Sequence, residues 1–155
     1  MRCRWRESLS WVGALLTAAP AAAQQSREIG VQSVVAFADP AAVVAGGYGA
    51  WRTSQRTRLS ASLGLGVTEG ELAWRAEALA HFLLSPDERR RPGFYLAGGV
   101  AAAGGTVSRG YLVATLGLEQ RPQASSGWAL EVGVGGGLRL GAGYRWRFPV
   151  GIGEK

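Results

Sequence analysis

His81 is the one side chain in this sequence with an ordinary proton affinity near neutrality, since the chain holds 1 His and 1 Cys and the cysteine, Cys3, sits at the very start. A base of this kind turns a serine hydroxyl into a nucleophile when the two lie within hydrogen-bond reach. The nearest serine along the chain is Ser85, at the end of the same segment, so a His–Ser pair attacking an ester or amide is one chemistry to test. Metal chemistry is not indicated, because a lone histidine falls short of a transition-metal ligand set. Neither glycine run, Gly98-Gly99 or Gly135-Gly136-Gly137, leads into a helix-forming segment as a phosphate-cradling loop does. The sequence therefore indicates no cofactor.

Ionic chemistry is the stronger theme. Arg58, Arg75, Glu77, His81, Glu119, Glu131, Arg139, Arg145 and Arg147 stand at alternate positions among apolar residues. Alternate positions of a strand share a face, so these side chains point into a common interior, where an unpaired ion is too costly to keep. They form either a filling network of Arg–carboxylate pairs or the lining of an ion-selective pore.

Strands are the elements that must hold them. Leu59, Ala61, Leu63, Leu65 and Val67 fall on one face and Arg58, Ser60, Ser62, Gly64 and Gly66 on the other, a clean period of two. Leu72 to Leu84 also suits a helix, with Leu72, Ala76, Leu79 and Leu83 on one side. The strand reading is preferred, because it gathers Trp74 and Phe82 with the apolar residues and sets Arg75, Glu77 and His81 opposite. Tyr111 to Arg121 opposes Leu112, Ala114, Leu116 and Leu118 to Thr115, Gly117, Glu119 and Arg121, and Trp128 to Val134 opposes its apolar residues to Glu131 and Gly133. Gly30 to Ala38, Val43 to Thr53 and the stretch after Pro92 supply three more strands, with Gly46, Gly47 and Gly49 leaving the facing of the second open. Asp39-Pro40, Thr68 to Glu71, Ser85 to Gly93, Gly104 to Gly110 and Pro122 to Gly127 are the turns.

The eighth strand is Leu138 to Phe148, apolar at Leu138, Leu140, Ala142, Tyr144, Trp146 and Phe148, with Arg139, Arg145 and Arg147 between. Its length and its crowding of aromatics at one end suit a tilted strand crossing a bilayer. Short turns make the strands an antiparallel meander, and in lipid such a sheet has to close so that no edge is left unsatisfied. The predicted fold is thus all-β, an eight-stranded antiparallel up-and-down transmembrane β-barrel whose interior is just filled by side chains. With both ends on one side, Trp51, Phe82, Phe94, Trp128, Tyr144, Trp146 and Phe148 gather at that rim and Phe37 and Trp74 at the other, as aromatic girdles do. The longest connections, Ser85 to Gly93 and Pro122 to Gly127, fall on the side of the termini. The competing reading is a soluble periplasmic barrel with its apolar face inward around an apolar ligand.

Ahead of the barrel, Arg2, Arg4 and Arg6 precede an apolar run from Leu9 to Ala19 and then Ala21-Ala22-Ala23. This predicts a signal peptide at residues 1–23, with an apolar run too short to span a membrane, and a barrel domain at 24–155. Cleavage takes Cys3 away, leaving no disulfide or thiol chemistry, and lowers the net charge from +6 to +4 by removing three arginines and Glu7. The remaining arginines are scattered at strand-alternate positions, which speaks against a nucleic-acid partner.

The alternating run ending at Phe148 and the Pro92-Gly93-Phe94-Tyr95 opening of the fifth strand resemble those of small bacterial outer-membrane β-barrels of the OmpA/OmpX kind. The resemblance is one of pattern and covers Gln24 to about Phe148. It implies a place in the cell outer membrane, contact with its lipids and lipopolysaccharide, and a monomer. It also implies that the barrel assembly machinery reads Tyr144, Trp146 and Phe148, although here Pro149 to Lys155 follow the strand that usually ends such chains. Some barrels of this size are lipid A deacylases that use a His, a Ser and a carboxylate, which would make His81 catalytic. His81 and Ser85 would then sit inside or below the barrel, away from outer-leaflet lipid, so no catalytic residue is assigned. The expected role is structural or interactive, with a narrow channel as the alternative.

Overall fold

The computed structural model of the chain describes residues 26–86, 91–105 and 108–149. The predicted leader at 1–23 and the tail after Pro149 lie outside these residues. The strands are β1 (Ser26–Phe37), β2 (Ala42–Arg52), β3 (Thr57–Thr68), β4 (Glu71–Leu83), β5 (Gly93–Gly104), β6 (Arg109–Glu119), β7 (Ser126–Val134) and β8 (Leu138–Pro149). Each pairs antiparallel with the next, and β8 returns to β1, so the sheet closes as a barrel with strand order β1 to β8. The segment read as Leu72 to Leu84 is strand as far as Leu83, as its period of two requires.

Several boundaries differ from the sequence reading. β1 begins at Ser26, not Gly30, because its pairing to β8 runs down to Ser26↔Pro149. The expected turn from Gly104 to Gly110 shrinks, since Gly110 and Arg109 pair with Ala102 and Ala103. β6 stops at Glu119, and Arg121 lies beyond it, exposed and with a left-handed φ of 48°, so it does not share the inner face.

Register fixes the geometry. Passing from Arg27 to Trp51, Leu59, Ala80, Gly98, Ala114, Val134 and Leu138 leads back to β1 at Phe37, ten residues further along. Eight strands with that stagger tilt by about 40° and enclose a backbone radius of about 8 Å. An interior of this width is filled by side chains.

Alternation then sorts every strand. Ile29, Val31, Leu63, Leu65, Val100, Leu112, Val132 and Leu140 are exposed on the outside, whereas Glu28, Arg58, Arg75, Glu77, Glu119, Arg139 and Arg145 are buried inside. Apolar side chains face out and ions face in, the inverse of a water-soluble barrel.

Candidate functional site

The lumen holds two ionic clusters at different levels. In the one further from the termini, Arg139 grips Glu77 as a two-pronged fork, Nη2 donating to Oε2 at 2.8 Å and Nε to Oε1 at 3.2 Å. Its Nη1 donates to Glu131 Oε2 at 2.6 Å, and Arg75 Nε donates to Glu77 Oε1 at 2.6 Å. Tyr95 Oη completes the set, donating to Glu131 Oε1 at 2.7 Å. Two guanidinium groups meet two carboxylates whose oxygens all accept hydrogen bonds, the condition under which buried ions are tolerated.

Nearer the termini, Arg58 Nη1 donates to Glu28 Oε2 at 3.2 Å and to Glu119 Oε2 at 2.9 Å. Arg145 also donates to Glu119, and Arg147 Nε donates to Glu28 Oε1 at 2.8 Å. Arg52 Nε lies 3.5 Å from Glu28 Oε1. All nine side chains singled out from the sequence point inward, and eight of them join one of these clusters; His81 touches the second through Arg58. The partner of Arg147 is Glu28, a residue that the late start assigned to β1 had left outside the strand. Arg52 was missed because the glycines of β2 blurred its facing.

Tyrosine and glycine shape the lumen around these ions. Tyr95 stands opposite Gly117 and Tyr48 opposite Gly30 across neighbouring strands, and a Cβ on either glycine would collide with the facing ring. The ring of Tyr95 also lies under the Arg58 guanidinium, 5.1 Å away. Gly117→Ala is therefore expected to displace Tyr95 from Glu131 and cost about 1–3 kcal/mol, as overpacking does. Chemical denaturation of the folded barrel is the measurement, and an unchanged midpoint would refute the close fit.

His81 has a serine partner, but not Ser85. Ser85 lies in the connection after β4, whereas the pairing Arg58↔His81 brings Ser60 from the next strand to 2.7 Å from Nε2. The other ring nitrogen, Nδ1, faces Arg58 Nη2 at 3.2 Å. A guanidinium can only donate, so Nδ1 must accept and the proton of the neutral ring sits on Nε2. The ring then donates to Ser60 Oγ, the reverse of the relation in which a histidine takes the serine proton. A nucleophilic triad also needs an acceptor behind Nδ1, and here a cation stands there. The arrangement positions a ring and does not activate a hydroxyl.

At the end of the termini the lumen is capped by residues 120–125, which meet the described start of the other long connection, residues 84–86. Arg52 Nη2 donates to the Pro122 carbonyl at 3.1 Å, and Arg147 Nη1 donates to the same oxygen. Pro122 is fully buried, and Gln123 Nε2 donates to the Pro86 carbonyl at 2.5 Å, tying one connection to the other. The described parts of these turns thus fold inward over the lumen. At the far end the lumen widens above Arg75 into a cavity of about 610 Å³ lined by Val34, Ala36, Val44, Ala73 and Tyr111.

On the outside, the stagger assigns each aromatic a level along the axis. Trp51, Phe82, Phe94, Trp128 and Trp146 fall within about 3 Å of one another, with Tyr144 just above and Phe148 just below. Phe37 and Trp74 share a second level about 21 Å higher. The ionic cluster nearer the termini lies level with the lower ring of aromatics.

No protein-family model matches this sequence, and no curated protein matches it. Its fold is similar to those of several solved structures, two of which serve for comparison. The N-terminal β-barrel domain of Pseudomonas aeruginosa OprF superposes with a TM-score of 0.67 at 15% identity, covering 79% of this chain and 97% of that one. Neisserial surface protein A superposes with a TM-score of 0.60 at 10% identity, covering 83% of this chain and 100% of the other. At these identities the likeness is one of fold.

Proposed function

We propose that this chain is a small outer-membrane β-barrel of a Gram-negative bacterium, with a structural or interaction role and a sealed lumen. One observation carries this reading: an outer surface of exposed aliphatic side chains lies between two aromatic levels about 21 Å apart, close to the height of the apolar band of such barrels. A soluble barrel around an apolar ligand would need the opposite facing, because contiguous apolar surface of this extent is not kept in water. The fold neighbours, a β-barrel domain and a surface protein, are in keeping with the same placement.

In this reading residues 1–23 carry the chain across the inner membrane, and lipids and lipopolysaccharide cover the apolar belt. The assembly machinery reads Tyr144, Trp146 and Phe148 on the outward face of β8. The termini and the capped end face the periplasm, and the 610 Å³ cavity opens outward. The barrel acts as a monomer.

Pairing of the ions and the cap over the lumen favour a sealed interior over a pore. Purified protein reconstituted in a planar bilayer is expected to give no steady conductance above the bare membrane. Reproducible unit steps would replace this reading with the narrow channel.

A further inference from the structure

Among the described residues, the ionic cluster nearer the termini does not balance. Among the described residues, the guanidinium groups of Arg52, Arg58, Arg145 and Arg147 surround only Glu28 and Glu119, an excess of two positive charges. The other cluster sets Arg75 and Arg139 against Glu77 and Glu131 and is neutral. Arg145 is 1% exposed and Arg58 4%, so the excess is not relieved by solvent. Nε and Nη2 of Arg145 and Nε of Arg58 find no hydrogen-bond acceptor among the described residues. Buried guanidinium N–H groups without an acceptor are costly, and a buried charge excess more so.

Both arginines also line a cavity of about 30 Å³ in the middle of the lumen, with Tyr48, Ser60 and Ser62 in its wall and Arg139 holding the two wall carboxylates, Glu77 and Glu131. We propose that this cavity is an anion site that takes a single-atom anion, a halide such as chloride, against Arg145 and Arg58. Charge calls for an anion, and size selects its class. A cavity this small suits a single-atom anion better than a four-oxygen anion or an organic carboxylate. The hydroxyls of Tyr48, Ser60 and Ser62 are donors suited to complete its shell. The bound ion would offset the charge excess that the described carboxylates leave. The site rests on the lumen alone and holds whichever compartment the barrel occupies.

The test uses the folded full-length mature chain in detergent. A ligand that binds only the folded state raises stability with its concentration. The midpoint of thermal unfolding should rise by a few degrees, with saturation, as sodium chloride replaces sodium gluconate at constant ionic strength. Bromide should act likewise. Arg145→Gln should abolish the dependence. Crystals grown in sodium bromide should show an anomalous peak in contact with the Arg145 guanidinium. Equal midpoints in chloride and gluconate would overturn the proposal, as would a lumen without bromide. A bromide peak without any chloride dependence in solution is an adventitious ion only and also overturns it. If Arg145→Gln does not fold, the two measurements on the unaltered chain decide the matter.

Discussion

Glu119→Ala should destabilise the barrel by roughly 3–5 kcal/mol, the range for removing one partner of a buried ion pair. Glu119 accepts from Arg58 and Arg145 and lies 3.7 Å from Arg52, so its loss leaves four guanidinium groups around Glu28 alone. The measure is urea unfolding of the reconstituted protein, followed by the fluorescence of Trp51, Trp74, Trp128 and Trp146. Adding Arg145→Met to Glu119→Ala should recover part of the loss, because an apolar side chain of similar length removes one of the stranded charges. A loss below about 1 kcal/mol would mean that water reaches the cluster freely, as it does around surface pairs.

Leu63→Arg should cost about 2–4 kcal/mol in a bilayer, whereas Leu72→Arg should cost about 0–1 kcal/mol. Leu63 is 61% exposed and sits between the two aromatic levels; Leu72 is 73% exposed and sits beyond the upper one. Both side chains face outward and neither touches the lumen network, so the difference reports depth in the membrane. In water the same two substitutions would be alike, and equal costs would remove the lipid-facing belt.

Where side chains alternate cleanly, the sequence was a sufficient guide. β3, β7 and β8 present an unbroken period of two, so the inward facing of Arg58, Glu131 and Arg139 follows from neighbours along the strand. β4 was legible for a different reason, since only the strand template keeps Trp74 and Phe82 with the other apolar residues. Glycine erased the signal elsewhere: Gly46, Gly47 and Gly49 carry no side chain to mark a face, and Arg52 was lost with them. Glu28 was lost because β1 opens with Ser-Arg-Glu, a polar run that does not read as strand until its pairing with β8 is known. Ser60 was overlooked for Ser85 because nearness along the chain stood in for cross-strand register. Nothing periodic marks the inward fold of Pro122, which depends on two arginines from opposite ends of the sequence meeting one carbonyl.

Cell fractionation tests the central claim most directly. When the chain is expressed with its leader, the mature protein is expected in the outer-membrane fraction, resistant to carbonate extraction, and its gel mobility should change on boiling as a closed barrel opens. Recovery in the soluble periplasm, with the same mobility before and after heating, would contradict the account.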